Sequence, residues 1–150
     1  MKVMHSEWSG RIRHWIRTLK DDFYEPLGEF RWEGHRTMEH ISPEQALGLA
    51  FEQVQPGFTW GNTYEYCWFR GRIELPDRAE GKRIVMNLKP GGESTLFVNG
   101  RSFGTYRADW VSEPHHYMED NTLTRSGKAG ESYEVLMETY AAVSYTHLRA

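Results

Sequence analysis

The sequence predicts a mainly β fold, a two-layered β-sandwich preceded by an N-terminal amphipathic helix. Three observations carry this. Between Cys67 and Tyr106 apolar residues alternate at a period of two, in short runs separated by Gly and Pro. Asn99-Gly100 sits between two of these runs. A type I′ hairpin turn needs positive φ at both central residues, and Asn-Gly is its commonest solution. Ahead of residue 30 the period is instead three and four, which places apolar residues on one side of a helix.

That helical stripe consists of Trp8, Ile12, Trp15, Ile16, Leu19 and Phe23, with Arg11, Arg13, Arg17 and Lys20 on the other face. Ser6 precedes the stripe in a capping position, and Pro26 and Gly28 mark its end. A lone helix of this length is marginal in water. The stripe is therefore expected to dock on the sandwich or on a domain outside this chain. Phe30 and Trp32 alternate only briefly. In Ser42-Pro43-Glu44-Gln45-Ala46, a capping Ser, a Pro at the first helical position and an acid in the first turn predict a short helix ending near Gly48. Residues 1–55 thus read as a helical lead and connecting segment, and Pro56-Gly57 as a turn.

Residues 56–141 read as the sandwich. Tyr66 and Trp68 fall on one face of a strand, a face that the N-terminal helix is expected to cover. Cys67, Phe69, Ile73 and Leu75 fall on the other, and Pro76 stops the ladder. Ile84, Met86 and Leu88 form an inward row. Leu96 and Val98 alternate with Thr95 and Phe97, and the Asn-Gly turn returns the chain along Arg101 to Thr105. Asp109 to Arg125 is irregular and polar. A last strand alternates Tyr133, Val135, Met137 and Thr139 with Glu134, Leu136, Glu138 and Tyr140.

Composition narrows the function classes. The chain has 150 residues, 39% hydrophobic and 14% aromatic, enough to fill the core of one domain. A formal net charge of −3 gives no reason to expect a nucleic acid or an anionic membrane as partner. Cys67 is the lone cysteine, so no disulfide framework forms within the chain, and a reducing, cytoplasmic location is expected.

The ordered set of motifs resembles the N-terminal domain of the α-mannosidases of glycoside hydrolase family thirty-eight, of the cytosolic and bacterial type. It comprises Phe58-Thr59-Trp60-Gly61, Tyr66-Cys67-Trp68-Phe69-Arg70, Ile73-Glu74-Leu75-Pro76, Gly81-Lys82, Leu96-Phe97-Val98-Asn99-Gly100, and Gly130-Glu131 ahead of Met137-Glu138-Thr139-Tyr140-Ala141. The resemblance implies a mainly β, galactose-binding-like jelly-roll sandwich behind an amphipathic helix, serving as a non-catalytic accessory domain. It also implies a catalytic barrel as partner and possible oligomerisation. The zinc and the nucleophile of α-mannoside hydrolysis belong to that barrel. It opens with a His-x-Asp motif, and no His here is followed two residues later by Asp. No catalytic residue, metal ligand or cofactor site is thus carried over to this chain, which is expected to be truncated before the barrel. Similar motifs occur in the sugar-binding domains of β-galactosidase-like and β-glucuronidase-like enzymes, and a free carbohydrate-binding module is the competing reading. The terminal string Val143-Ser144-Tyr145-Thr146-His147-Leu148-Arg149-Ala150 resembles translated sequencing-adapter sequence, so residues 142–150 are expected to be a non-native tail.

For sugar binding the candidates are Trp110, Tyr106 and Tyr117, beside Arg107. Aromatic rings stack on pyranose faces, and irregular loops are where binding residues concentrate. The alternative is a loop that Trp110 anchors by burial. His115-His116 with Asp109, Glu113 and Glu119 reads as a polar loop, since adjacent residues on an extended segment point to opposite faces. Glu74 and Asp77 read as a solvated strand end, and Cys67 as an inert buried thiol.

Overall fold

The alternation of residues 66–75 becomes the central strand of an antiparallel sheet. A computed structural model describes residues 2–22, 24–88, 90–107, 115–116, 122–141 and 146–147. Its elements run α1 (Lys2–Asp22), β1 (Arg31–Thr37), α2 (Pro43–Ala46), β2 (Glu52–Gln53), β3 (Thr59–Trp60) and β4 (Tyr66–Glu74). They continue with β5 (Ile84–Val85), β6 (Glu93–Val98), β7 (Arg101–Arg107), β8 (His115–His116), β9 (Thr122–Thr124), β10 (Ser132–Tyr140) and β11 (Thr146–His147).

Among the described residues seven strands form one sheet in the order β2-β1-β4-β10-β6-β7-β8, each neighbour antiparallel. Two short ladders, β11-β3 and β5-β9, contribute to the opposing layer. The core lies between. Cys67 and Phe69 of β4, Val135 and Met137 of β10 and Leu96 of β6 point inward from the sheet. Trp60, Met86 and Leu88 meet them from the other side. The Trp60 and Phe69 rings pack edge to face at 5.7 Å and 73°, a favoured aromatic geometry. Each large side chain buried here contributes about 1.5–3 kcal/mol through loss of apolar surface from water. Two buried hydroxyls beside this core satisfy each other: those of Ser94 and Thr139 are 2.9 Å apart.

Local chemistry fixes the joints. Asn99 (φ 48°) and Gly100 (φ 74°) both adopt the left-handed region, which gives the expected turn between Val98 and its partner Arg101. Asn99 also ties this turn to β10, its Oδ1 accepting the Glu134 N–H at 2.9 Å. Ser42 caps α2 in a capping box with Gln45, and Pro43 occupies the first turn as expected. The buried Glu65 carboxylate accepts the N–H groups of Gly61 at 2.9 Å and Asn62 at 3.0 Å, which holds the corner leading into β4.

Several expectations need correction. The sheet does not wait for residue 56: β1, inside the segment read as a connection, pairs along its whole length with β4. Its polar residues hid it, because its stability comes from pairing and from Glu33 bonding Arg70 rather than from an apolar row. Helix α1 begins at Lys2, so Ser6 lies inside it and is not its cap. The helix does not cover Trp68 either. Trp8, Ile12 and Trp15 remain 57%, 56% and 71% exposed, whereas Trp68 is buried beneath Ala46, Ile41, Leu49 and Phe51. Finally, Thr122–Thr124, read as irregular, pairs with β5.

Gly71 shows how tightly β1 is seated. It stands opposite Trp32, and a Cβ at Gly71 would come within 2.5 Å of the indole ring. Gly71→Ala is therefore expected to destabilise the fold by about 1–3 kcal/mol. Adding Trp32→Ala should recover part of the loss, measured as a non-additive double-mutant cycle in urea unfolding. Additive effects would show that the ring does not rest on this glycine.

Candidate functional site

Pairing register dictates what the outer face of the sheet presents. His35, Trp68, Glu138 and Thr95 form one cross-strand row. Thr37, Tyr66, Tyr140 and Glu93 form the next. Residues 38–51 lie across part of this face as a strap. Its apolar side buries Trp68 and Leu136. Its polar attachments are specific: His35 Nδ1 donates to the Ala50 carbonyl at 2.9 Å, and Arg70 lies 4.3 Å over the Phe51 ring while bonding Glu33.

At the margin of the strap a polar cluster gathers. His40 Nε2 lies 3.3 Å from Glu138 Oε1, with the carboxylate side chain only 17% exposed. That is an ion-pair distance, but the alignment is not that of a hydrogen bond, so Oε1 has no hydrogen-bond partner among the described residues. The buried Trp68 indole N–H, on the residue paired with Glu138, likewise has none among them. The His40 ring lies 5.5 Å from that of Tyr66, which in turn packs 4.8 Å from Tyr140 at 34°. Burial pushes the Glu138 carboxyl above the usual carboxylate range, and the opposing influence of His40 is smaller. Burial also raises the Tyr140 phenol, with further contributions from Tyr66, Tyr64 and Glu93 close by.

Tyr64 completes the rim. Its backbone is left-handed (φ 66°), held by its N–H donating to the Ala141 carbonyl at 3.0 Å, and its side chain is 63% exposed. An L-residue in this region gives up roughly 1–2 kcal/mol. A bulky side chain there is an outlier of the kind that clusters at functional positions.

Of the residues singled out for sugar binding, Trp110 and Tyr117 lie outside the described residues. Tyr106 stands in β7 opposite Ser94 and His116. His115 and His116 pair with Arg107 and Tyr106 as β8, while Asp109, Glu113 and Glu119 lie outside the described residues. Glu74 and Asp77 are exposed at the end of β4. Cys67 is buried, and burial, then Glu65, pushes its thiol far up, which keeps it protonated and inert. Among the described residues no three His, Cys, Asp or Glu side chains stand close enough to share a metal. Sequence reading missed the cluster because its parts come from residues 40, 64–66 and 138–140. The available signal was Glu138 and Tyr140 on the strand face opposite the core row.

This architecture, a broad antiparallel sheet closed by short ladders over one apolar core, is that of a jelly-roll domain. The sequence matches the model of the family described as "Alpha-mannosidase, jelly roll domain" over residues 30–146, and the chain belongs to that family. The match takes in β1 and the strap as well as the later strands. No curated protein matches the sequence. Among solved structures, a β-glucuronidase from Ruminococcus gnavus in complex with C6-substituted uronic isofagomine superposes with a TM-score of 0.52 at 16% identity. The same enzyme in complex with D-glucaro-d-lactam gives 0.49 at 16%. In both cases the alignment covers 79% of this chain and 23% of that one. At this identity the likeness is one of fold alone, and the chain spans about a quarter of the length of the enzyme it resembles. No helix among the described residues is long and apolar enough to cross a membrane.

The raised Glu138 carboxyl sets a pH dependence. A group whose folded pKa lies above its unfolded value binds its proton more tightly in the folded state. Its contribution to stability is full below the ordinary carboxylate value of about 4.3 and is lost as pH rises through the raised value. Glu138→Gln removes the ionisation. The variant should therefore gain stability relative to the parent between about pH 4 and pH 7, read by urea unfolding across that range. Parallel pH profiles would contradict the assignment.

Proposed function

We propose that the chain is the non-catalytic N-terminal accessory domain of an α-mannosidase, acting in the cytoplasm in the breakdown of α-mannosides. The observation that carries this reading is the family match across residues 30–146. The α-mannosidase resemblance assigns zinc and the nucleophile to a catalytic barrel elsewhere in the parent enzyme. The domain's role is to pack against that barrel and shape the rim of its active site.

The exposed stripe of α1 supports a docking role. Trp8, Ile12, Trp15, Ile16 and Leu19 share one face, and contiguous apolar surface of this kind marks interaction sites. The barrel is the partner proposed for it, with a second copy of the chain as a further possibility in an oligomer. The purified chain is expected to show no hydrolysis of an aryl α-mannoside, with or without added zinc, in a chromogenic assay. Turnover that survives repurification would contradict the accessory reading.

A further inference from the structure

We propose that Asn99-Gly100 is a site of spontaneous deamidation, and that the fold holds the reaction off by clamping Asn99 to Glu134. The chemistry needs no partner beyond water, and both residues of the turn are exposed to it. Gly100 favours the reaction, because with no Cβ on the residue its backbone nitrogen can come up to the neighbouring side chain. That nitrogen gives its proton to solvent and attacks Cγ of Asn99. The new C–N bond closes a five-membered succinimide, the Cγ–Nδ2 bond breaks, and ammonia leaves. Water then opens the ring at either carbonyl. One opening gives an aspartate at the same position. The other gives an isoaspartate, whose chain runs through the side-chain carbons and carries one more backbone atom. The two-residue turn between the paired Val98 and Arg101 has no room for that atom.

In the folded chain one residue of β10 holds Asn99 twice. The Asn99 N–H donates to the Glu134 carbonyl at 2.9 Å, and Asn99 Oδ1 accepts the Glu134 N–H at 2.9 Å. The side chain thereby extends the β6–β10 ladder one step past the Val98–Val135 pair. Closing the succinimide requires the amide to swing from β10 towards the Gly100 nitrogen, which breaks the bond to Glu134. The backbone opposes the ring as well. Asn99 is left-handed (φ 48°), and the ψ near +47° of that region turns the Gly100 nitrogen away from Cβ, whereas the ring needs the two nearly eclipsed. Clamp and turn must therefore open together before the nitrogen can attack. The site stands whether or not the domain docks on a catalytic barrel, because it rests on residues of this chain alone.

The test incubates the full chain beside a synthetic peptide of residues 96–103 at one mildly alkaline pH and temperature. Conversion at residue 99 is followed by peptide-mapping mass spectrometry. Opening of the clamp is followed in the full chain by hydrogen exchange of the Glu134 amide, whose N–H is the one that Asn99 Oδ1 accepts. The peptide is expected to give both aspartate and isoaspartate. The folded chain should react at least about tenfold more slowly, and the slowing should match the protection of the Glu134 amide to within about fivefold. A folded chain that deamidates as fast as the peptide would overturn the proposal. So would a peptide that stays intact, or a slowing that departs further than that from the amide protection in either direction. No substitution is needed, so loss of the fold cannot mask the result.

Discussion

The rest of the structure depends on the pairing of β4 with β10. These two nine-residue strands run side by side through the centre of the sheet, in register from Ser132–Glu74 to Tyr140–Tyr66. Both are buried on both faces for much of their length. Their inward residues, Cys67, Phe69, Val135 and Met137, build the sandwich core. Their outward residues, Trp68 and Leu136, take the strap of residues 38–51. A one-residue slip would exchange these rows and place Glu138 and Arg70 in the core. The register of one strand pair thus sets the core, the strap and the outer cluster together.

This explains how far the sequence was legible. The strand character of β6 and β10 was plain from their apolar runs, Leu96-Phe97-Val98 and Val135-Leu136-Met137. Asn99-Gly100 was equally plain, because few dipeptides satisfy two positive φ values. β1 carries Glu33, Gly34, His35 and Arg36, and little in its side chains signals a strand. It is held by its ladder to β4, by Trp32 lying on Gly71 and by the Glu33–Arg70 pair, all of them contacts between residues 29 to 41 positions apart. Local reading has no access to such contacts. The expectation that α1 covers Trp68 failed for a related reason. Periodicity showed that it has an apolar face but could not show what meets that face.

The cluster on the outer face was less legible still. Its residues come from the strap, from the corner before β4 and from the end of β10. Individually each reads as an exposed polar side chain or as a strand residue. Only the register places Tyr66 beside Tyr140, and only the strap brings His40 to Glu138. The residues the sequence did single out, Trp110, Tyr106 and Tyr117, were chosen for composition and for a loop setting. The residues the structure brings together were fixed instead by β geometry.

β4 and β10 are expected to form the least easily opened part of the fold. Native-state hydrogen exchange tests it most directly. The amides of Trp68, Phe69, Leu136 and Met137 should exchange only through global unfolding, with a common opening free energy, while those of α1 exchange by local fraying. Exchange from β4 or β10 as fast as from α1, or opening of the two strands at different free energies well below the global value, would contradict it.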